Sequence, residues 1–100
     1  MSDVWAKIEK LAGQKLETLS QEKVFTVTEV SDGKVYFVPE GGTGTRRYEP
    51  KAVFEKFAAQ DWARTDLRPS RVAQEYEVEY GLATQNSSYI AAILKKALEP

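Results

Sequence analysis

The chain contains no cysteine and no histidine. Without cysteine there is no disulfide and no thiolate metal site, which excludes a secreted disulfide scaffold. Without histidine the commonest general base, the commonest metal ligand and the usual near-neutral pH switch are all missing. A metal could be held only by carboxylates and carbonyls, and no cofactor is expected. Long apolar runs are also lacking. No stretch approaches the roughly 20 apolar residues that a membrane span requires, so no membrane partner is expected. The opening Met1-Ser2-Asp3 has neither a basic region nor an apolar signal segment, and the expected setting is the cytoplasm.

What is present suits a globular fold. In 100 residues, 42% are hydrophobic, 29% are charged and 11% are aromatic, enough large apolar groups to exclude a disordered chain. That length is expected to form a single domain spanning residues 1–100. The net charge is −1, but the charges are uneven. Lys34–Arg71 holds eight Lys/Arg against five Asp/Glu, a net of +3, while each flank carries −2. Such a middle segment offers an acidic partner a basic face, although solvated helix and strand surfaces also produce imbalances of this size.

The hydrophobic pattern predicts an α+β fold. Val4, Ile8 and Leu11 share one face of a helix over Val4–Ala12, capped by Ser2 or Asp3 and stopped by Gly13. Lys23–Val30 alternates as a strand, with Phe25 and Val27 on one face and Val24, Thr26, Thr28 and Val30 on the other. Ser31-Asp32-Gly33-Lys34 is a strong hairpin signal, because a type I′ turn needs positive φ at both central residues. The return strand Val35–Val38 ends at Pro39. After the loop Glu40–Thr45, Arg46–Glu49 is expected as the third strand of a small antiparallel sheet. Pro50 is expected to open a helix with Val53, Phe54, Phe57, Ala58 and Trp62 on its apolar stripe, packed across the sheet. Ser70–Tyr80 fits both a helix and a strand; helical spacing of Val72, Tyr76 and Tyr80 favours a helix ending at Gly81. Tyr89–Leu98 is the closing helix, burying Ile90, Ile93, Leu94 and Ala97. The expectation is therefore three strands with about four helices and a helical C-terminal third.

No catalytic constellation is found, and the chain is expected not to be an enzyme. Glu75, Glu77 and Glu79 recur at every second residue, whereas a metal nuclease gathers carboxylates from separate elements; they suit a solvated face. No motif surrounds Ser20, Ser31, Ser70, Ser87 or Ser88 that would make a serine nucleophile. Gly41-Gly42-Thr43-Gly44-Thr45 could cradle a phosphate with backbone N–H groups. It lacks the P-loop lysine, however, and an irregular turn between antiparallel strands accounts for it more simply. Arg46, Arg47 and Lys51, with Lys56, Arg64, Arg68 and Arg71, are candidate phosphate contacts, and Tyr36, Phe37 and Tyr48 are candidate stacking faces. The last two helices could form a helix-turn-helix in which Gln85, Asn86, Ser87, Ser88 and Tyr89 read base edges. Against that, the last helix is mostly apolar and its linker is long.

Ser87-Ser88-Tyr89-Ile90-Ala91-Ala92-Ile93-Leu94 opens a closing helix with a serine–tyrosine pair. Together with Phe25-Thr26-Val27 before a hairpin, and Arg47-Tyr48-Glu49-Pro50 leading into a helix, it resembles small accessory domains of bacterial restriction-type and other DNA-processing proteins. The resemblance implies a DNA-associated, non-catalytic accessory domain and transfers no catalytic residue. The expected function is a small non-enzymatic binding module with DNA or another nucleic acid as partner. Arg46, Arg47 and Lys51 would contact phosphates, and Asn86, Ser88 and Tyr89 would contact bases. The alternative is a protein–protein interaction or oligomerisation domain, suggested by the near-neutral charge and the many aromatics.

Overall fold

A computed structural model describes residues 3–41 and 44–99. Its elements run α1 (Asp3–Glu9), β1 (Lys15–Glu17), β2 (Val24–Ser31), β3 (Lys34–Pro39), β4 (Arg47–Pro50), α2 (Lys51–Ala58), α3 (Trp62–Thr65), α4 (Pro69–Tyr80) and α5 (Ser87–Leu98). The α+β class holds. Among the described residues, however, the sheet has four strands rather than three, and there are five helices rather than about four.

The extra strand is β1. It contributes a single buried side chain, Leu16, between exposed Lys15 and Glu17, too short a pattern to alternate visibly. Its pairing with β2 is extended by two backbone bonds, Gly13 N–H to Val27 and Val27 N–H to Gln14. The extra helix arises because Trp62 does not continue α2: the chain turns after Ala58, and Trp62 restarts as α3 while still packing on Phe57 at 5.4 Å between ring centroids. α1 is shorter than Val4–Ala12, passing into turns before Gly13 at φ 86°. Its expected cap, Ser2 or the side chain of Asp3, lies outside the described residues. Pro50 ends β4 and stands just before α2 in extended backbone, not inside its first turn.

The strands follow in the antiparallel order β1-β2-β3-β4. Asp32 and Gly33 take φ 54° and 70°, the left-handed pair that the Asp-Gly signal requires, and Ser31 pairs with Lys34 across the turn. The alternation expected for β2 holds only to Val27. A bulge between Val27 and Glu29 shifts the register by one, so Val30 pairs with Val35 and packs against the core rather than facing out beside Val24 and Thr26.

One face of the sheet is interior. Leu16, Phe25, Val27, Val35 and Phe37 lie there, the last four with no exposure at all. The expected cover, α2, packs beside β4, and α5 joins it in the core, burying Ile90 through Leu94 and Ala97. Its Tyr89 ring lies 5.1 Å from both Phe25 and Phe37, and those two rings meet edge-on at 6.0 Å. α2 adds Val53, Phe54, Phe57 and Ala58. The ambiguous segment is α4, a helix closed by Gly81 in the left-handed conformation at φ 72°. Helical geometry divides the three glutamates: half-buried Glu75 bonds to Arg71 and Glu79 to Lys56, while exposed Glu77 points to another side.

Candidate functional site

Strand β4 organises the residues singled out in the sequence, because a period of two sends neighbours to opposite faces. Register pairs Phe37 with Arg47, Tyr36 with Tyr48 and Val35 with Glu49. Phe37 and Val35 are interior, so Arg47 and Glu49 point inward. Tyr36 and Tyr48 point outward, with Glu29 as the next neighbour across β2. The adjacent Arg46 and Arg47 therefore serve different surfaces.

The outer surface carries a row of planar groups. Tyr48 is 54% exposed. Its ring lies 5.9 Å from that of Tyr36, the Arg46 guanidinium sits 4.3 Å over Tyr36, and the Lys34 ammonium is 5.3 Å from the Tyr48 ring. Arg46 also reaches Glu29 at 3.9 Å, a loose exposed pair. Thr26 and Val38, which pair across β2 and β3, are half-buried and continue this face.

The inward residues build a polar network. Glu49 is only 4% exposed. Its carboxylate accepts a 2.6 Å bond from Asn86 Nδ2 and a 3.2 Å bond from the Tyr76 hydroxyl. Asn86 Oδ1 in turn accepts from Arg47 Nη1 at 3.2 Å, and the same nitrogen reaches the Gln85 carbonyl at 3.4 Å. The orientation of the Asn86 amide is fixed by this chain, since its NH2 must face the carboxylate and its oxygen the guanidinium. Arg47 also lies 5.5 Å over the Tyr89 ring. Sequence reasoning named Arg47, Asn86 and Tyr89 but missed Glu49 and Tyr76. The only sequence signal for Glu49 was its inward register position on a strand.

Burial pushes the Glu49 carboxyl above its ordinary value of 4.5, against the opposing pull of the bonds from Asn86 and Tyr76. The folded chain therefore holds this proton more tightly than the unfolded chain. Its contribution to stability is present at low pH and is lost as pH rises from about 4.5 through the folded midpoint. Compared with Glu49→Gln, the native chain should gain stability on acidification through that window, measurable by denaturant unfolding at several pH values. Tyr76 is pushed up to about 12, first by burial and then by the negative charge of Glu49. A phenolate absorbance titration should show this late ionisation, and Glu49→Gln should bring it earlier.

The other predicted contacts disperse. Lys51 lies 5.3 Å over the Trp5 ring. Ser88 is half-buried in the first turn of α5. Lys56 pairs with Glu79, Arg68 with Asp66, Arg71 with Asp66 and Glu75, and Arg64 donates to the Ala58 carbonyl. These cations are drawn to local acceptors on the helical side and do not gather into one basic surface. α5 is mostly interior and would have to leave the core to enter a DNA groove, which weighs against the helix-turn-helix option. Among the described residues no group of three or more His, Cys, Asp or Glu could hold a metal ion, and no helix is long and apolar enough to cross a membrane. Comparison with protein-family models, curated proteins and solved structures found no match to this chain.

Proposed function

We propose that the chain is a non-enzymatic module that binds single-stranded nucleic acid across the outer face of its sheet. One observation carries this reading: Tyr48, more than half exposed, stands beside Tyr36 and Arg46 in a row of stackable planes edged by Lys34. Unpaired bases stack on aromatic rings and on guanidinium planes whatever their identity, while cations alongside follow the backbone. A duplex hides its base faces and would not use such a row. The low net charge fits a binder that relies on stacking more than on phosphate contacts.

Fluorescence anisotropy with a labelled single-stranded oligonucleotide tests this. The few cations on the face predict a shallow salt dependence, with a slope of log K on log[salt] of about −1 to −2 for roughly two phosphate contacts. Arg46→Ala and Lys34→Ala should each flatten it. Equal affinity for duplex and single strand, or no binding at low salt, would rule the reading out.

A second reading, a protein-interaction module, is favoured by Val78 and Leu82, which are 78% and 56% exposed near the end of α4, beside Tyr80. Isolated apolar residues on a surface are ordinary, and a contiguous apolar patch is what marks an interaction surface. Sedimentation at increasing concentration would detect self-association through them, and Val78→Lys should abolish it.

A further inference from the structure

A small cleft of about 210 Å³ lies beside the described ends of the connection from β3 to β4. Its lining includes Lys23, Glu40, Gly41, Gly44, Arg47 and Tyr89. Three separate parts of the fold meet there: the approach to β2, the β3–β4 connection and the first turn of α5. We propose that this cleft is a binding site for a phosphate group, distinct from the row of planes on the outer face.

The two cations are prepared for that role in different ways. Arg47 is held from behind. Buried Glu49 fixes the Asn86 amide, and Asn86 with the Gln85 carbonyl takes up Nη1 alone. Arginine has five N–H donors in a planar fork, so Nε and Nη2, with no partner among the described residues, are available to a ligand, while the Tyr89 ring lies 5.5 Å from the guanidinium. Two parallel donors on one rigid plane match two oxygens of a phosphate.

Lys23 is fixed through its backbone. Its N–H donates to Thr18 Oγ1 at 3.0 Å and its carbonyl accepts from the Thr18 N–H at 2.9 Å, closing a turn in which Glu22 takes φ 53°. The ammonium of Lys23 has no hydrogen-bond or ion-pair partner among the described residues. Glu40, the one lining carboxylate among the described residues, lies 3.7 Å from Lys15, which lessens its repulsion of an anion. Gly41 and Gly44 have φ 81° and 68°. A side chain at either glycine would be strained.

The test is amide and guanidinium NMR of the full chain titrated with inorganic phosphate, with chloride at matched ionic strength as control. Saturable shifts are expected at Gly41, Gly44, Tyr89 and the Arg47 Nε–H. Lys23→Glu, at an exposed site, should fold normally and weaken phosphate by roughly tenfold or more, the scale of one charge-assisted bond. Arg47→Lys should weaken it too, because an ammonium cannot grip two oxygens. A parallel titration with a nucleoside 5′-monophosphate separates the sources of the group. Tighter binding than inorganic phosphate identifies a nucleotide or strand end, and equal binding a free phosphate. Tyr48→Ala should leave every one of these titrations unchanged, so failure of the cleft and failure of the outer-face reading are distinguishable. Identical shifts with chloride, or unaltered phosphate binding in Lys23→Glu, would overturn the proposal.

Discussion

Phe37→Ala is expected to destabilise the fold by about 3–5 kcal/mol, the usual cost of emptying a buried phenylalanine site. A domain of this size has a total stability of about 5–15 kcal/mol, so the variant should lose a large share of it. The site explains the size of the effect. Phe37 is fully buried, lies edge-on to Phe25 and supports the Tyr89 ring by which α5 seats on the sheet. Its loss would open a void shared by the sheet and the central helix, and neither can close it without moving the other. Denaturant unfolding should show a lowered midpoint with an unchanged slope. Tyr36→Ala, one residue earlier on the opposite face, should cost far less. The contrast between neighbours is a direct test of the register that sends Phe37 inward.

Tyr48→Ala should weaken single-stranded binding by about 5- to 150-fold, the equivalent of 1–3 kcal/mol for one stacked base. The same substitution should leave stability within about 0.5 kcal/mol, because the side chain is exposed. Tyr48→Phe keeps the ring and should retain nearly all affinity. If Tyr48→Phe lost as much as Tyr48→Ala, the hydroxyl rather than the ring face would be the contact and stacking would be refuted. The double variant Tyr36→Ala with Tyr48→Ala should lose more than either single one, since the rings stand 5.9 Å apart and offer consecutive platforms.

Much of this architecture was legible in the sequence, for identifiable reasons. Asp32-Gly33 specifies its turn through backbone chemistry that no tertiary contact needs to supply. α4 could be separated from a strand because Val72, Tyr76 and Gly81 agree on helical spacing and a left-handed stop. β1 was not legible, because a strand with one apolar residue has no period to read and exists only by pairing with β2. The bulge after Val27 was equally hidden, and it reversed the face of Val30. At the site, adjacent Arg46 and Arg47 invited treatment as a single basic pair. Strand geometry divides them between the outer row and the inner cleft. Asn86 was legible as a polar group near a helix start. Its bond to Glu49, 37 residues away, depends on the tertiary fold. A linear count of the charge in the middle segment also leaves out Glu79 and Glu75, which pair with Lys56 and Arg71.

The outer sheet face as the nucleic-acid surface is tested most directly by mapping amide and aromatic shifts as a short single-stranded oligonucleotide is added. The account predicts saturable changes centred on Lys34, Tyr36, Arg46 and Tyr48, with the interior residues Val53 and Ile93 unmoved. Saturable changes centred instead on Val78, Tyr80 and Leu82, or none at any concentration, would contradict it.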